Sequence, residues 1–208
     1  MTGSDPVDEA AAAALGGKLI VFPTDTVYGL GTRPDDPAAT ARVFEAKRRP
    51  EHLELPVLVA TPAQARSVAA VDDRAERLIA ACWPGALTLV LPRSQASAAW
   101  QLGGDATTVG VRMPAHPVAL AVLARTGPLA VTSANRSGDP PARTRAELRA
   151  TFGDGVSVYL CTDEPLEGAA STVLDLCREP ARILRAGSLP PDRLAELIGE
   201  PLDSPTSR

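Results

Sequence analysis

Pro23-Thr24-Asp25-Thr26-Val27-Tyr28-Gly29-Leu30-Gly31 follows directly on a short apolar run at 18–22. The run reads as a buried strand. The polar stretch therefore lies at a strand's carboxyl end, where open α/β sheets bind ligands. Two threonine hydroxyls and two glycines let side chains and backbone approach a small polar ligand. The glycines do not make G-x-G-x-x-G, and G-x-x-x-x-G-K-[ST] is absent, so neither standard nucleotide loop applies. By local chemistry alone, the stretch reads as a strand-to-loop turn with Tyr28 packed in the core.

Outward from this stretch, helices and strands intermix. Residues 8–15 read as a first helix. Asp36-Pro37 pairs a capping residue with proline at the first helical position, opening a helix to about Lys47. Thr61-Pro62 starts a further helix, and others are expected at 72–83, 117–125, 144–152 and 190–198. Thr144 and Glu147 form a capping box. Strands are expected at 55–60, 86–91, 107–113, 129–132, 156–160, 172–176 and 181–185. The last two have no helix between them, which points to a mixed sheet. The expectation is one α/β domain over 8–199, with flexible tails at 1–7 and 200–208.

The chain has 208 residues, 45% apolar and 22% charged, with a net charge of −4. That composition fits a globular fold and excludes a disordered chain. It supplies no strong basic field for holding nucleic acid by charge alone. No apolar run reaches the roughly 18 residues of a membrane span. The first 17 residues carry Asp5, Asp8 and Glu9 and no Lys or Arg, the reverse of a secretory signal. A cytoplasmic protein is expected. Cys82, Cys161 and Cys177 are far apart and read as buried, inert thiols. With His52 and His116 as the sole histidines, a zinc site or a Cys–His nucleophile does not fit. Nineteen arginines stand against two lysines, so Lys47 beside Arg48 and Arg49 marks a place for a compact point charge.

Three further segments carry polar groups. Ala46-Lys47-Arg48-Arg49-Pro50 places cations at a helix C-terminus, which suits the macrodipole. Its functional reading is a phosphate clamp, with Lys47 and Arg49 on one side of an extended segment and Arg48 on the other. Thr132-Ser133-Ala134-Asn135-Arg136-Ser137-Gly138 follows another apolar strand. It is either an ordinary turn or a polar-ligand loop with Ser133 and Asn135 on one face. Arg112, Ser171 and Arg185 lie at strand ends, where an arginine can grip a carboxylate or phosphate with two parallel bonds. His116 is expected to cap a helix and His52 to sit in a solvated loop.

Together these segments resemble the YrdC-like threonylcarbamoyl-adenylate synthases. The matching signatures are P-T-D-T-V-Y-G-L-G at 23–31, K-x-R at 47–49, W-P-G-A-L-T at 83–88 and V-R-M-P at 111–114. T-S-A-N-x-S-G at 132–138, S-T-V at 171–173 and L-R-x-G at 184–187 complete the set. The resemblance runs from about residue 10 to 199. It implies a twisted open mixed β-sheet flanked by helices, with a deep basic cleft. It implies synthesis of threonylcarbamoyl-AMP and pyrophosphate from L-threonine, bicarbonate and ATP, with Mg²⁺ accompanying ATP. A separate transferase complex would then carry the threonylcarbamoyl group to tRNA. Position by position, Lys47, Arg49, Asn135 and Arg185 should hold the nucleotide, with Thr108 and Arg143 as further cleft positions. Thr26, Arg112, Ser133 and Ser171 should hold threonine, Arg112 on its carboxylate. Lys47 and Arg49 should carry the catalytic charge. No protein side chain is assigned to a metal. Many members read R-P-x-D-N-P-L where this chain has Arg49-Pro50-Glu51-His52-Leu53-Glu54-Leu55, and many carry a histidine after the next strand where 58–60 has none.

A carbamate formed from the threonine amine is already an anionic nucleophile, so its attack on the α-phosphate needs no cysteine or histidine. The protein would position reactants and neutralise charge. Two other readings compete. One is a non-catalytic relative that binds nucleotide or RNA, with weak tRNA contact. The other is an adenylating enzyme with a different acceptor.

Overall fold

The computed structural model describes residues 5–162, 165–166 and 168–203. Helix starts follow a repeated rule, a capping side chain and then proline. Asp5, Asp36, Thr61 and His116 each accept from a backbone N–H of the helix they open, and each precedes a proline. These helices are α1 (Pro6–Leu15), α2 (Pro37–Lys47), α3 (Pro62–Val68) and α5 (Pro117–Thr126). Asp72 caps α4 (Asp73–Cys82), and Thr144 with Glu147 boxes α6 (Arg145–Phe152). Pro190 and Pro191 open α7 (Pro191–Ile198).

Asp5 and Pro6 were expected in a free tail. They instead carry the same cap-and-proline signal and start α1 before residue 8. At the other end, Asp203 bridges Arg182 through the backbone, so the chain is anchored beyond residue 199. Residues 1–4 and 204–208 of the expected tails lie outside the described residues.

Among the described residues the strands form one mixed sheet. They are β1 (Ile20–Phe22), β2 (Gly29–Thr32), β3 (Val57–Leu58), β4 (Leu87–Pro92), β5 (Thr108–Arg112), β6 (Leu129–Ser133), β7 (Val158–Tyr159), β8 (Thr172–Asp175) and β9 (Arg182–Arg185). The order across the sheet is β7-β1-β2-β6-β3-β5-β4-β8-β9. Strand β2 is a departure from the expected turn. Residues 29–32 pair antiparallel with both β1 and β6. Glycine propensity argues against a strand, but here the missing side chains are what admit a neighbour. A Cβ on Gly29 would lie 2.7 Å from Val131 Cγ1.

Alternation of side chains sorts the sheet into two faces. Val21, Leu30, Ala130, Val57, Val111, Leu89, Leu174 and Ile183 share one face and pack in a single core. Val43, Val68, Leu78, Leu148 and Leu194 bring α2, α3, α4, α6 and α7 into that core. Each fully buried aliphatic side chain is worth about 1.5–3 kcal/mol. On the opposite face Ile20, Phe22, Val131, Leu129 and Leu58 pack beneath α1 and α5 through Ala10, Ala14, Ala119, Val122 and Leu123. The remaining part of that face, over β5, β4, β8 and β9, carries Arg112, Thr88, Val173 and Arg185. Among the described residues no helix packs on it. No helix of the described residues is long and apolar enough to cross a membrane.

Gly29→Ala is expected to destabilise the fold by about 1–3 kcal/mol through overpacking. Adding Val131→Ala should recover part of that loss, so that the double variant is less destabilised than the two single variants together. Urea denaturation of all three measures this coupling.

Candidate functional site

The turn between β1 and β2 curls back onto Arg112. Thr24 Oγ1 donates to Val27 O at 2.6 Å and accepts from the N–H groups of Thr26 and Val27, each at 3.2 Å. These bonds tie the turn and place Thr26 Oγ1 3.0 Å from Thr24 Oγ1. Arg112, at the end of β5, donates Nη1 to Thr26 Oγ1 at 2.9 Å, Nε to Gly85 O at 2.9 Å and Nη2 to Asp25 Oδ1 at 2.6 Å. A guanidinium has five N–H groups. Two remain, one on each Nη, which is the number a carboxylate takes.

Ser171 and Arg185 lie beside this centre. Arg185 donates Nε to Ser171 O at 3.1 Å and Nη2 to Ser171 Oγ at 2.9 Å. Ser171 Oγ is in turn 2.9 Å from Thr88 Oγ1. Gly187 permits this approach, because a Cβ there would lie 2.4 Å from the backbone of residues 170–172.

Lys47 is the last residue of α2, and Arg48 turns the chain in the left-handed conformation with φ of 51°. The segment is thus a helix end and not the expected extended run. The turn, rather than strand alternation, leaves Arg48 exposed and drives Lys47 inward to 1% exposure. Lys47 Nζ donates to Ser133 O at 2.5 Å, to Asn135 O at 2.6 Å and to Asn135 Oδ1 at 3.4 Å. Burial and then the neighbouring Arg49 charge lower its pKa to about 8. Ser133 therefore meets Lys47 through its carbonyl. The Asn135 amide donates to Arg136 O at 2.8 Å and Asp139 O at 2.7 Å, fixing its own loop. That loop turns back at Asn135 N, which bonds Ser133 O, so the two residues do not lie along an extended face.

Arg49 donates Nε to Leu53 O at 3.0 Å and Nη2 to Glu54 O at 2.8 Å. Burial lowers the pKa of Arg49, Arg185 and Arg112 alike. The Arg185 charge adds to the lowering at both Arg49 and Arg112. Lys47, Arg49, Arg185 and Arg112 thus form a chain of cations, each within the field of the next. Asp25 pairs with Arg112. Among the described residues no acid pairs with Lys47, Arg49 or Arg185.

Two expected positions stand apart from Arg112. Thr108 begins β5, at the opposite end from Arg112, and its carbonyl accepts from Arg93 Nε at 2.7 Å. Arg143 is exposed, its N–H bonds Glu147 Oε2 at 2.6 Å, and with Asn135 it lines a pocket of about 480 Å³. His116 caps α5, with Nδ1 accepting from Val118 N at 3.2 Å, and His52 is exposed, both as expected. The cysteines are less buried than expected. Cys82 and Cys161 are half-buried and Cys177 is exposed. Burial raises all three thiol pKa values, and Asp175 helps carry Cys177 to about 12, which disfavours the thiolate at each. Asp25 and Thr88 were not singled out from the sequence. Both lie inside quoted motifs, and the signal for Asp25 was an acid without an evident partner in a polar turn.

A family model described as "Telomere recombination" (Sua5_yciO_yrdC) matches residues 12–187. The chain belongs to this Sua5/YciO/YrdC family. A relative from Pyrococcus abyssi named Threonylcarbamoyl-AMP synthase is 40% identical over 186 residues, 88% of this chain and 54% of the relative. One of the same name from Chromohalobacter salexigens is 37% identical over 177 residues, 83% of this chain and 94% of the relative. The crystal structure of P. abyssi Sua5 complexed with L-threonine superposes with a TM-score of 0.84 at 37% identity, covering 94% of this chain and 58% of that one. The Sua5/YciO/YrdC fold thus places the K-x-R and S-x-N segments against each other through the Lys47 bonds.

With its pKa lowered to about 8, Lys47 is expected to lose its charge progressively as pH rises through that value. Pyrophosphate binding, followed by calorimetry, is expected to weaken by roughly tenfold or more between pH 7 and pH 9.5, as the protonated fraction falls. In Lys47→Arg, whose cation does not titrate there, that weakening should disappear.

Proposed function

We propose that the chain is an L-threonylcarbamoyladenylate synthase, a nucleotidyltransferase using L-threonine, bicarbonate and ATP. The observation that carries this reading is the convergence of Lys47, Arg49 and Arg185, without acidic partners among the described residues, beside the spare N–H pair of Arg112. Three cations lacking counter-ions suit a polyphosphate. An arginine with two open N–H groups, flanked by the hydroxyls of Thr26 and Ser171, suits an amino-acid carboxylate. The threonine complex of the P. abyssi relative supports that choice.

In this reading the threonine ammonium and bicarbonate condense to a carbamate, water and a proton. A carbamate oxygen then attacks the α-phosphorus of ATP, and pyrophosphate leaves with the bonding electron pair. Arg49 and Arg185 hold the phosphates, and the buried Lys47 charge beside them helps offset the charge that grows on the leaving group. Thr26, Arg112, Ser133 and Ser171 position threonine. Thr108, Asn135 and Arg143 serve the rest of the nucleotide, and the pocket shared by Asn135 and Arg143 offers it space. Among the described residues no trio of His, Cys, Asp or Glu is grouped to hold a metal ion. Mg²⁺ would accompany ATP and would offset part of the phosphate charge. The product passes in the cytoplasm to a tRNA threonylcarbamoyl-transferase complex.

Pyrophosphate release from MgATP is expected to require both threonine and bicarbonate. Lys47→Ala should lower turnover by about 10²-fold or more, the scale of losing one donor to developing charge. Arg112→Ala should raise the KM for threonine by at least roughly tenfold, as loss of a charged hydrogen bond does, with ATP affinity kept. Release that ignores threonine would defeat the assignment.

A further inference from the structure

Arg112 uses only one of the two oxygens of Asp25. Oδ1 accepts from Arg112 Nη2 at 2.6 Å and from Ala115 N at 2.9 Å, which fixes the carboxylate. Oδ2 takes no hydrogen bond from the described residues, and it is not among the buried polar atoms left without a partner. It is therefore held in a set orientation and open to a ligand. The Asp25 side chain is 17% exposed against 7% for Arg112, so the acid lies on the accessible side of the pair. An asparagine could satisfy Arg112 and Ala115 through its own Oδ1. The second anionic oxygen is surplus to that scaffold.

An α-amino acid carries its ammonium one carbon away from its carboxylate. A substrate carboxylate on the two spare N–H groups of Arg112 brings that ammonium to the side of the guanidinium where Asp25 stands. Among the described residues at this centre, Asp25 is the anion that could offset the cations Arg112, Arg185, Arg49 and Lys47 for that ammonium. Given threonine as the substrate, on which the inference rests, we propose that Asp25 Oδ2 receives the α-ammonium of threonine. Arg112 and Asp25 then read the zwitterion as a unit, and Asp25 selects amino acids over hydroxy acids of the same shape. Once the amine becomes a carbamate, attraction to Asp25 turns to repulsion, and the new anion is favoured toward the phosphate-holding cations.

The test is calorimetric binding of L-threonine and of 3-hydroxybutanoate, which is threonine without its amine, to wild type and Asp25→Asn. The variant keeps an Oδ1 acceptor for Arg112 and Ala115 and replaces the free anionic oxygen with an amide. Wild type is expected to prefer threonine by about tenfold to a hundredfold, the scale of a charge-assisted hydrogen bond. Asp25→Asn should lose most of that preference through weaker threonine binding, with 3-hydroxybutanoate bound at least as tightly as by wild type, because Arg112 loses an anion that competes with the ligand carboxylate. MgATP affinity of the variant should match wild type, and its melting temperature should fall because Arg112 loses its counter-charge. Equal weakening of both ligands would reduce Asp25 to a support for Arg112 and overturn the proposal, as would unchanged threonine binding. Should the variant not fold, wild type alone decides, because equal affinity for the two ligands refutes ammonium recognition. Wild type that binds MgATP but neither ligand would sink the threonine assignment itself, a result distinct from the loss of Asp25's role.

Discussion

A buried arginine whose three bonded donors are divided between two distant segments is the constraint around which this protein is organised. Taking a guanidinium out of water costs several kcal/mol unless its N–H groups find partners. Arg112, 6% exposed, finds them in the β1–β2 turn through Thr26 and Asp25, and in the segment after α4 through Gly85 O. Those partners come from segments distant in the chain, so the bonds pin the turn and the 83–86 segment to the sheet at one point. Helices α1 and α5 stop short of this part of the sheet face, which leaves Arg112 room to meet a ligand. The site exists because one half of a face is covered and the other half is not.

Lys47 obeys a related rule with a different solution. It has no acid to pair with, and its three N–H groups end on two backbone carbonyls and one amide oxygen. Neutral acceptors satisfy the ammonium without cancelling its charge, so the charge stays available. Arg49 does the same with the carbonyls of Leu53 and Glu54. The protein thus separates two tasks. Backbone oxygens supply the hydrogen bonds that keep cations in place, while acids are kept from the cations meant for an anionic ligand. Asp25 at Arg112 is the exception, and its second oxygen gives it a use beyond neutralisation.

Helix starts were legible because capping is local: an acceptor, a proline and an apolar period lie within a few residues. Mixed sheet topology was legible from the short gap between β8 and β9. Strand β2 was not, since Gly29-Leu30-Gly31 has the composition of a turn. Only the tertiary neighbour Val131 reveals why side chains are missing there. For the site, residue identity was legible but mode of action was not. Ser133 and Asn135 belong with Lys47, yet Ser133 acts through its main chain and Asn135 largely so, which no side-chain pattern encodes. Asp25 was hidden for a similar reason. Its partners Arg112 and Ala115 are far along the chain, and a lone acid in a polar turn carries no signal of its pairing.

The same division of labour accounts for the altered segment after Arg49. The pattern that the resemblance implies has D-N-P where this chain has His52, Leu53 and Glu54. Leu53 is 40% exposed, and what reaches Arg49 is its carbonyl, which every residue possesses. The segment is closed by further main-chain bonds, Leu53 N to Pro50 O at 3.0 Å and Gly104 N to Glu51 O at 2.9 Å. Side-chain identity at 52 and 53 is therefore weakly coupled to the placement of Arg49. Glu54 differs. Its burial raises the carboxyl pKa to about 7, with Arg93, 3.7 Å away, opposing the rise. Its side chain thus turns toward Arg93 and away from the cationic chain, while its carbonyl holds Arg49. Glu54 is thus directed at another arginine, and burial disfavours its ionised form, so it adds little negative charge beside Arg49.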